Sequence, residues 1–416
     1  MTARTVIPYH IKNDILPDLL QYCAGRHLNR FMLVADQNTY PILGQAVEQA
    51  LKSQGGDVRT VILTGDEIVP DERFIVQVLV KADPQPRMYL AVGSGTITDI
   101  TRFASHRTRT DFISIPTAPS VDGFTSIGAP LVIGGLKQTV ICQPPVAVFA
   151  HLPTLRAAPK AMIASGMGDI LGKFTSAADW ELGHLLWNEA YDADIARRAR
   201  QAAQHCADHV DGIGQATEEG IHTLMDSLID SGLCMLDFGG SSPASGMEHH
   251  IAHHLEMKIV WDNLPPVLHG AKVGVATLTS AGYYEQIRQM SQAQAQARLA
   301  AIPMPSRQAD IAQIQAVYAP IAGEIVAAHV PFLDMSAQDY EGLKQKIIDL
   351  WPQIQAVAAV VPSVQQITGW LQVVGAATTM PALGLSDEET THAVKNSHYL
   401  RNRFTVAKLS RMLGIL

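Results

Sequence analysis

The sequence predicts an α/β N-terminal domain of Rossmann-like, nucleotide-binding design followed by an all-α domain, and three observations carry that prediction. The first 150 or so residues alternate β-rich apolar runs with helix-like segments, the pattern of βαβ units and a parallel sheet. One of those runs ends in a short glycine turn and passes straight into a helix. From Pro159 onward the β-branched runs give way to segments rich in Ala, Leu, Met and Gln, which favour helix. A chain of 416 residues exceeds the size at which one hydrophobic core stops growing, so two domains are expected, here 1–158 and 159–416.

The elements follow in order. FMLVAD (Phe31 to Asp36) reads as a strand, YPILGQAVEQALKSQ as a helix and DVRTVIL as the next strand. A helix begins near Asp71, MYLAVGSGT is a strand entering the glycine turn, and a further helix separates it from the strand in DFISIPTAP. LVIGGLKQTVIC predicts a hairpin turning at Gly134 and Gly135. In the second half, SQAQAQARLAA (Ser291 to Ala301) is expected as an exposed helix and loop, and SDEE at Ser386 to Glu389 as a capping box.

Composition excludes several functions. With 47% hydrophobic and 17% charged residues, the chain is not disordered. Its net charge is -8, and its basic clusters are short: RFASHRTRT near residue 105, RRAR at Arg197 to Arg200, and YLRNRF near residue 402. They read as solvated faces or loops, so nucleic acid is not an expected partner. Cys23, Cys142, Cys206 and Cys234 lie far apart without a Cys-x-x-Cys pair, which argues for reduced thiols. The first residues lack the apolar core of a signal peptide and no apolar run reaches ~18 residues, so a cytoplasmic protein without membrane insertion is expected.

The densest chemistry lies in GMEHHIAHHLEM, Gly246 to Met257. On a helix His249 aligns with His253 and His250 with His254, the second pair turned by about 100°, so the four need not share one task. The His-Glu-x-x-His motif and the Gly-x-Ser-x-Gly elbow are both absent, which removes the hydrolase signatures. A catalytic metal site needs about three protein ligands. Asp169 in SGMGDILGKFTS and His269 in LPPVLHGAKVGVATL are candidates, each also readable as an ordinary capping Asp or turn His. LAVGSGTITDI has the glycines of a phosphate-binding turn at Gly93 and Gly95 but Thr98 where a third is usual; alone it is equally a plain tight turn.

Taken together, GSGTITDI, PTAPSVDGFTS, GMGDILGKFTSAADWELGH, GGSSPASGMEHHIAHHLEM and LHGAKVGVATL resemble the superfamily of iron-containing alcohol dehydrogenases, glycerol dehydrogenases and dehydroquinate synthases. The resemblance spans nearly the whole chain and is nearest to the branch that acts on glycerol phosphate. It implies Asp169, His249 and His269 as metal ligands, His253 as a substrate contact and proton relay, and Asp122 facing the substrate. Gly93, Gly95, Thr96, Ile97, Thr98, Asp99, Thr117, Ala118, Pro119, Ser120 and Ser126 would line the dinucleotide. Asp36 would meet the adenosine ribose and favour NAD(H), with NADP(H) also used in the family. His250 and His254 have no role in this pattern and are expected to be structural or exposed.

The reaction so implied is reversible hydride transfer at C2 between dihydroxyacetone phosphate and sn-glycerol 1-phosphate, in a homodimer. Two histidines and a carboxylate accept zinc, nickel or ferrous iron. Lys173, one helical turn after Asp169, is expected to bring a cation near the substrate phosphate. Glycerol or another polyol, and a dehydroquinate-synthase-like lyase reaction, stand as the alternatives.

Overall fold

Strands β1 (Tyr9–Lys12), β2 (Arg30–Asp36), β3 (Asp57–Leu63), β4 (Met88–Gly93), β5 (Phe112–Pro116), β6 (Gly128–Ile133), β7 (Leu136–Ile141) and β8 (Ala147–His151) are the β structure of a computed structural model that describes residues 6–416. Six of them form one sheet in the order β1-β8-β5-β4-β2-β3, every pair parallel. Side chains alternate along a strand, and β2 buries both sets. Phe31, Leu33 and Ala35 join one core cluster with Leu90 and Ile113, while Met32 and Val34 join another with Tyr89 and Ala91. A parallel sheet covered on both faces needs this continuous apolar run. β6 and β7 pair as the expected antiparallel hairpin, with φ of 58° at Gly134 and 76° at Gly135, the two positive values a type I′ turn demands.

The chain divides into two compact units. One holds the residues through Ile170 with 204–240 and 373–375; the other holds 171–203, 241–372 and 376–416. The sheet falls on the side the sequence predicts. The helix Glu218–Phe238, from beyond the expected boundary at 158, groups with it. Its close approach has a local cause: a Cβ on Gly232 would stand 2.2 Å from Thr125 Oγ1 and 2.7 Å from the Asp122 carbonyl oxygen. Glycine therefore lets this helix carry the 122–125 turn directly.

The second unit is helical. At its centre is the histidine helix, Met247–Trp261, capped by Gly246. A Cβ on Gly246 would fall 2.5 Å from Asp179 Oδ2 and 2.9 Å from Ser176 Cα, so a glycine is needed where the helix Lys173–Trp187 passes. Ser386 and Glu389 form the predicted capping box, and Ser291 and Gln294 form a second one at Gln292–Ala301. Of the basic stretches, Arg197 is solvated as expected, paired with Asp194. Arg102 instead is fully buried. Among the described residues no single helix is long and apolar enough to cross a membrane.

Candidate active site

In the first unit β4 ends at Gly93 and the helix Gly95–Arg107 starts one residue later. A Cβ on Gly93 would lie 2.5 Å from Ile97 Cβ, so only glycine permits so abrupt a handover. The result is a helix N-terminus at the carboxyl end of a parallel strand, the place where such sheets receive phosphates. Thr98 Oγ1 is buried there without a hydrogen-bond partner among the described residues, an orphan polar atom that a bound ligand would satisfy. Thr117, Ala118, Pro119 and Ser120 follow β5 and are all buried. Gly166 makes room for them, since a Cβ at that position would meet the Pro119 carbonyl oxygen at 1.9 Å.

Arg102 organises this region. It donates from Nη1 to Asp99 Oδ1 at 2.6 Å and to the Gly128 carbonyl at 2.8 Å, and from Nη2 to the carbonyls of Gly123 and Phe124 at 2.6 and 3.1 Å. Burial pushes the Asp99 carboxyl up to about 7, against the pull of the Arg102 guanidinium. Ser126 Oγ donates to the Gly123 carbonyl at 3.2 Å. Asp36 closes β2 with Oδ1 accepting the amides of Asn38 and Thr39 at 2.8 and 2.7 Å, so its carboxylate also shapes the turn that follows.

The same unit brings together Asp169 and Asp122. Asp169 is fully buried and its Oδ2 accepts the Asp122 amide at 3.0 Å. Asp122 in turn accepts the Ser231 hydroxyl on Oδ2 at 2.9 Å.

In the second unit, the rings of His249, His253 and His269 gather with centroids 5.4 to 6.0 Å apart. Each is gripped at Nδ1 by a carboxylate: His249 by Glu248 Oε1 at 2.8 Å, His253 by Glu256 Oε2 at 2.8 Å, and His269 by Glu256 Oε1 at 2.7 Å. The Nδ1 proton donates in all three, which puts the acceptor lone pair on Nε2 and fixes each ring. That is the support imidazoles receive when they ligate metal, so His249 and His269 fit the donor set. Glu248 is itself held by the Gly246 amide at 2.6 Å and the Thr175 hydroxyl at 2.7 Å. Lys272 Nζ sits 3.6 Å from Glu256 Oε1.

Lys173 is fully buried and donates from Nζ to the Ala244 carbonyl at 3.2 Å. His250 and His254 are buried as well, at 1% and 4% exposure. His254 Nδ1 meets Tyr318 Oη at 3.0 Å, and Tyr318 passes its proton to the Asn396 carbonyl at 2.9 Å. With Nδ1 therefore the donor, His254 Nε2 accepts from His392 Nδ1 at 3.3 Å. Burial, then His392, drags this ring down to about 3, which keeps it neutral.

The sequence reading missed Glu248, Glu256, Arg102, Ser231 and Asp179. Glu256 carried a signal: it stands three residues after His253 and seven after His249, on the same helical face. At the start of the histidine helix the Met247 amide donates to Asp179 Oδ2 at 2.7 Å, and Asp179 Oδ1 takes the Tyr284 hydroxyl at 2.6 Å.

Comparison with known proteins places the fold and the family. The iron-containing alcohol dehydrogenase of Thermococcus thioreducens superposes with a TM-score of 0.63 at 13% identity, covering 99% of this chain and 98% of that one. The family model described as iron-containing alcohol dehydrogenase matches residues 10–159. The fold is that of the iron-containing alcohol dehydrogenases. Closer in sequence are glycerol-1-phosphate dehydrogenase [NAD(P)+] of Geobacillus thermodenitrificans, 36% identical over 95% of this chain and 90% of its own, and that of Geobacillus stearothermophilus, 38% identical over 93% and 88%. The chain belongs to the glycerol-1-phosphate dehydrogenase family.

Proposed function

We propose that this enzyme reduces dihydroxyacetone phosphate to sn-glycerol 1-phosphate with NAD(P)H, reversibly, at a site holding one divalent cation. The observation that carries the reading is the set of carboxylate-clamped imidazoles, His249, His253 and His269, in a chain whose relatives bear that activity in their names. Asp169, His249 and His269 are assigned as the ligands, and zinc, nickel and ferrous iron all suit them. Bound metal supplies Lewis acidity at the C2 oxygen, and reduced nicotinamide supplies the hydride.

The side chains do the rest. His253, anchored through Nδ1 on Glu256, presents Nε2 to exchange the proton that accompanies reduction. Asp122, steadied by Ser231, orients a substrate hydroxyl. The first turn of Gly95–Arg107, with Gly95, Thr96, Ile97 and Thr98, cradles the pyrophosphate, while Asp99, Thr117 to Ser120 and Ser126 shape the rest of the dinucleotide site. Asp36 accepts from the ribose and favours NAD(H) over NADP(H). Lys173, buried beside the 244–246 turn, adds positive charge to the substrate wall.

The test is NADH oxidation by the metal-loaded enzyme with dihydroxyacetone phosphate and with dihydroxyacetone. Efficient turnover of the phosphate alone is expected, giving a product that an sn-glycerol-3-phosphate-specific dehydrogenase cannot use. Equal turnover of the two ketones, or a product of the opposite hand, would reduce the reading to a metal-dependent polyol dehydrogenase.

A further inference from the structure

The stretch YLRNRF, expected as a solvated basic face, keeps Arg401 exposed but turns inward from Arg403 to Phe404 beside the start of the histidine helix. Val406 donates its amide to Asp179 Oδ1 at 2.6 Å, and Asp179 holds the Met247 amide through its other oxygen at 2.7 Å. Phe404 donates its amide to Glu189 Oε1 at 2.7 Å. Arg403 pairs through Nε with Glu189 Oε2 at 3.3 Å and donates through Nη1 to the Ser245 carbonyl, one residue before the helix cap. The loop is thus pinned at four points beside the turn that carries His249 and His250.

Several buried polar atoms there are unsatisfied among the described residues. Arg403 Nη2 is buried with no hydrogen-bond partner among the described residues. His250, 1% exposed, has a partner at neither ring nitrogen among the described residues. Thr405 Oγ1 is orphaned in the same loop, as is the acceptor Asn402 Oδ1. Arg401, two residues before Arg403, is exposed. A buried donor left unpaired is destabilising. A loop held this firmly, with Arg403 Nη2 and the His250 ring buried and unpartnered among the described residues, suits an anion that supplies several acceptor oxygens.

We infer that Arg401, Arg403 and His250 form the subsite for the phosphate group of the substrate. His250 is three residues from His253 on one helix, so the two are neighbours on its surface and the subsite adjoins the proton-exchanging ring. The assignment rests on the phosphorylated substrate proposed above. It gives His250 a task on the one side of the helix that the metal face does not use, and it lets Lys173 act through charge alone. Arginine suits the role because its planar fork matches a phosphate with two parallel bonds.

The experiment compares metal-loaded wild type with Arg401→Met and Arg403→Lys, the first chosen because Arg401 bears no ion pair among the described residues. For each, kcat/KM is measured for dihydroxyacetone phosphate and for dihydroxyacetone, with metal content as a control. Each variant is expected to lose about 10- to 100-fold on the phosphorylated ketone, chiefly through KM, with little change on the plain ketone. Inorganic phosphate should compete with the phosphorylated ketone in wild type and more weakly in both variants. Unchanged discrimination between the two ketones, in variants of an enzyme that does use the phosphate, would overturn the subsite and leave the proposed function standing. If wild type does not turn over the phosphorylated ketone, the function itself fails, and calorimetry with inorganic phosphate judges the site alone. Heat lost in Arg401→Met then supports an oxyanion site, and equal heats reject it.

Discussion

Glu256→Gln probes the second unit at its most economical point. Glu256 is 6% exposed, and its two oxygens accept from two imidazoles, His269 Nδ1 at 2.7 Å and His253 Nδ1 at 2.8 Å. Glutamine offers one acceptor and one donor in the same volume, so it can receive only one of the two Nδ1 protons. The other ring must turn or move its proton to Nε2, the atom the site needs as an acceptor. If His269 yields, metal affinity drops; if His253 yields, metal stays and turnover falls. Loss of a supporting hydrogen bond to a ligating histidine costs about 10- to 100-fold in metal affinity or activity, or about 1.4–2.8 kcal/mol.

The assay titrates metal-stripped wild type and Glu256→Gln with zinc against a chelator buffer and follows turnover on the same samples. A loss of 10-fold or more in affinity or in metal-saturated kcat is expected. Wild-type values for both would show that Glu256 does not set the tautomers of these rings, and the assignment of His269 as ligand and His253 as proton exchanger would lose its geometric basis. Removing the carboxylate also strips buried Lys272 of the charge 3.6 Å away, so the variant should unfold at lower temperature.

Other expectations follow from the same structure. Asp169→Asn and His249→Ala should each lose bound metal and activity while circular dichroism stays native, as checked by metal analysis. His253→Ala should keep metal and lose turnover. His254→Ala should leave kcat intact but cost about 1–3 kcal/mol in denaturant unfolding, because the ring is buried between Tyr318 and His392. Burial, with Arg411, pulls Lys408 from 10.5 down to about 7, and its hydrogen-bond partners among the described residues are the His398 carbonyl and His329. Between those pH values the unfolded chain holds a proton that the folded chain lacks, so this group makes stability rise with pH across that window and its penalty is complete below about 7. Lys408→Met should therefore be more stable than wild type at neutral pH by up to about 4–5 kcal/mol, with the gap closing toward pH 10.5; a gap independent of pH would show that Lys408 folds with its proton on.

How much of this was legible in the sequence depends on how local the cause was. Strands β2, β3, β4 and β5 showed as apolar runs because a sheet buried on both faces leaves no polar alternation to blur them. The hairpin showed through Gly134 and Gly135, and the capping box through Ser386 and Glu389, because each is fixed within four residues. β1 and β8 were invisible: YHIK and AVFAH are too short to carry a period, and β1 becomes a strand only by pairing with β8, more than 130 residues away. The groups that hold the site in place were hidden for the same reason. Ser231 reaches Asp122 across 109 positions and Asp179 reaches Val406 across 227, and nothing in the spacing of residues encodes either meeting. Arg102 was misread because a basic cluster on a predicted helix is normally solvated, whereas here one guanidinium is spent on four protein acceptors.

The histidine helix shows why so much imidazole is concentrated in one place. Its buried positions include Glu248, His249, His250, His254 and Glu256 as well as Met247, Ile251 and Leu255, so it has no apolar stripe and no solvent face in its first turns. A helix enclosed in this way with charged side chains would be bent or unfolded by their desolvation, unless each polar group met a partner across the packing. A neutral imidazole can be buried and still both donate and accept, through nitrogens on opposite sides of one ring. Each histidine therefore takes its character from the element it faces. Against carboxylates His249 and His253 become rigid lone pairs at Nε2, and between Tyr318 and His392 His254 becomes a neutral relay of hydrogen bonds. His250, buried in the first turn, has no hydrogen-bond partner among the described residues, and the proposed phosphate subsite would supply one.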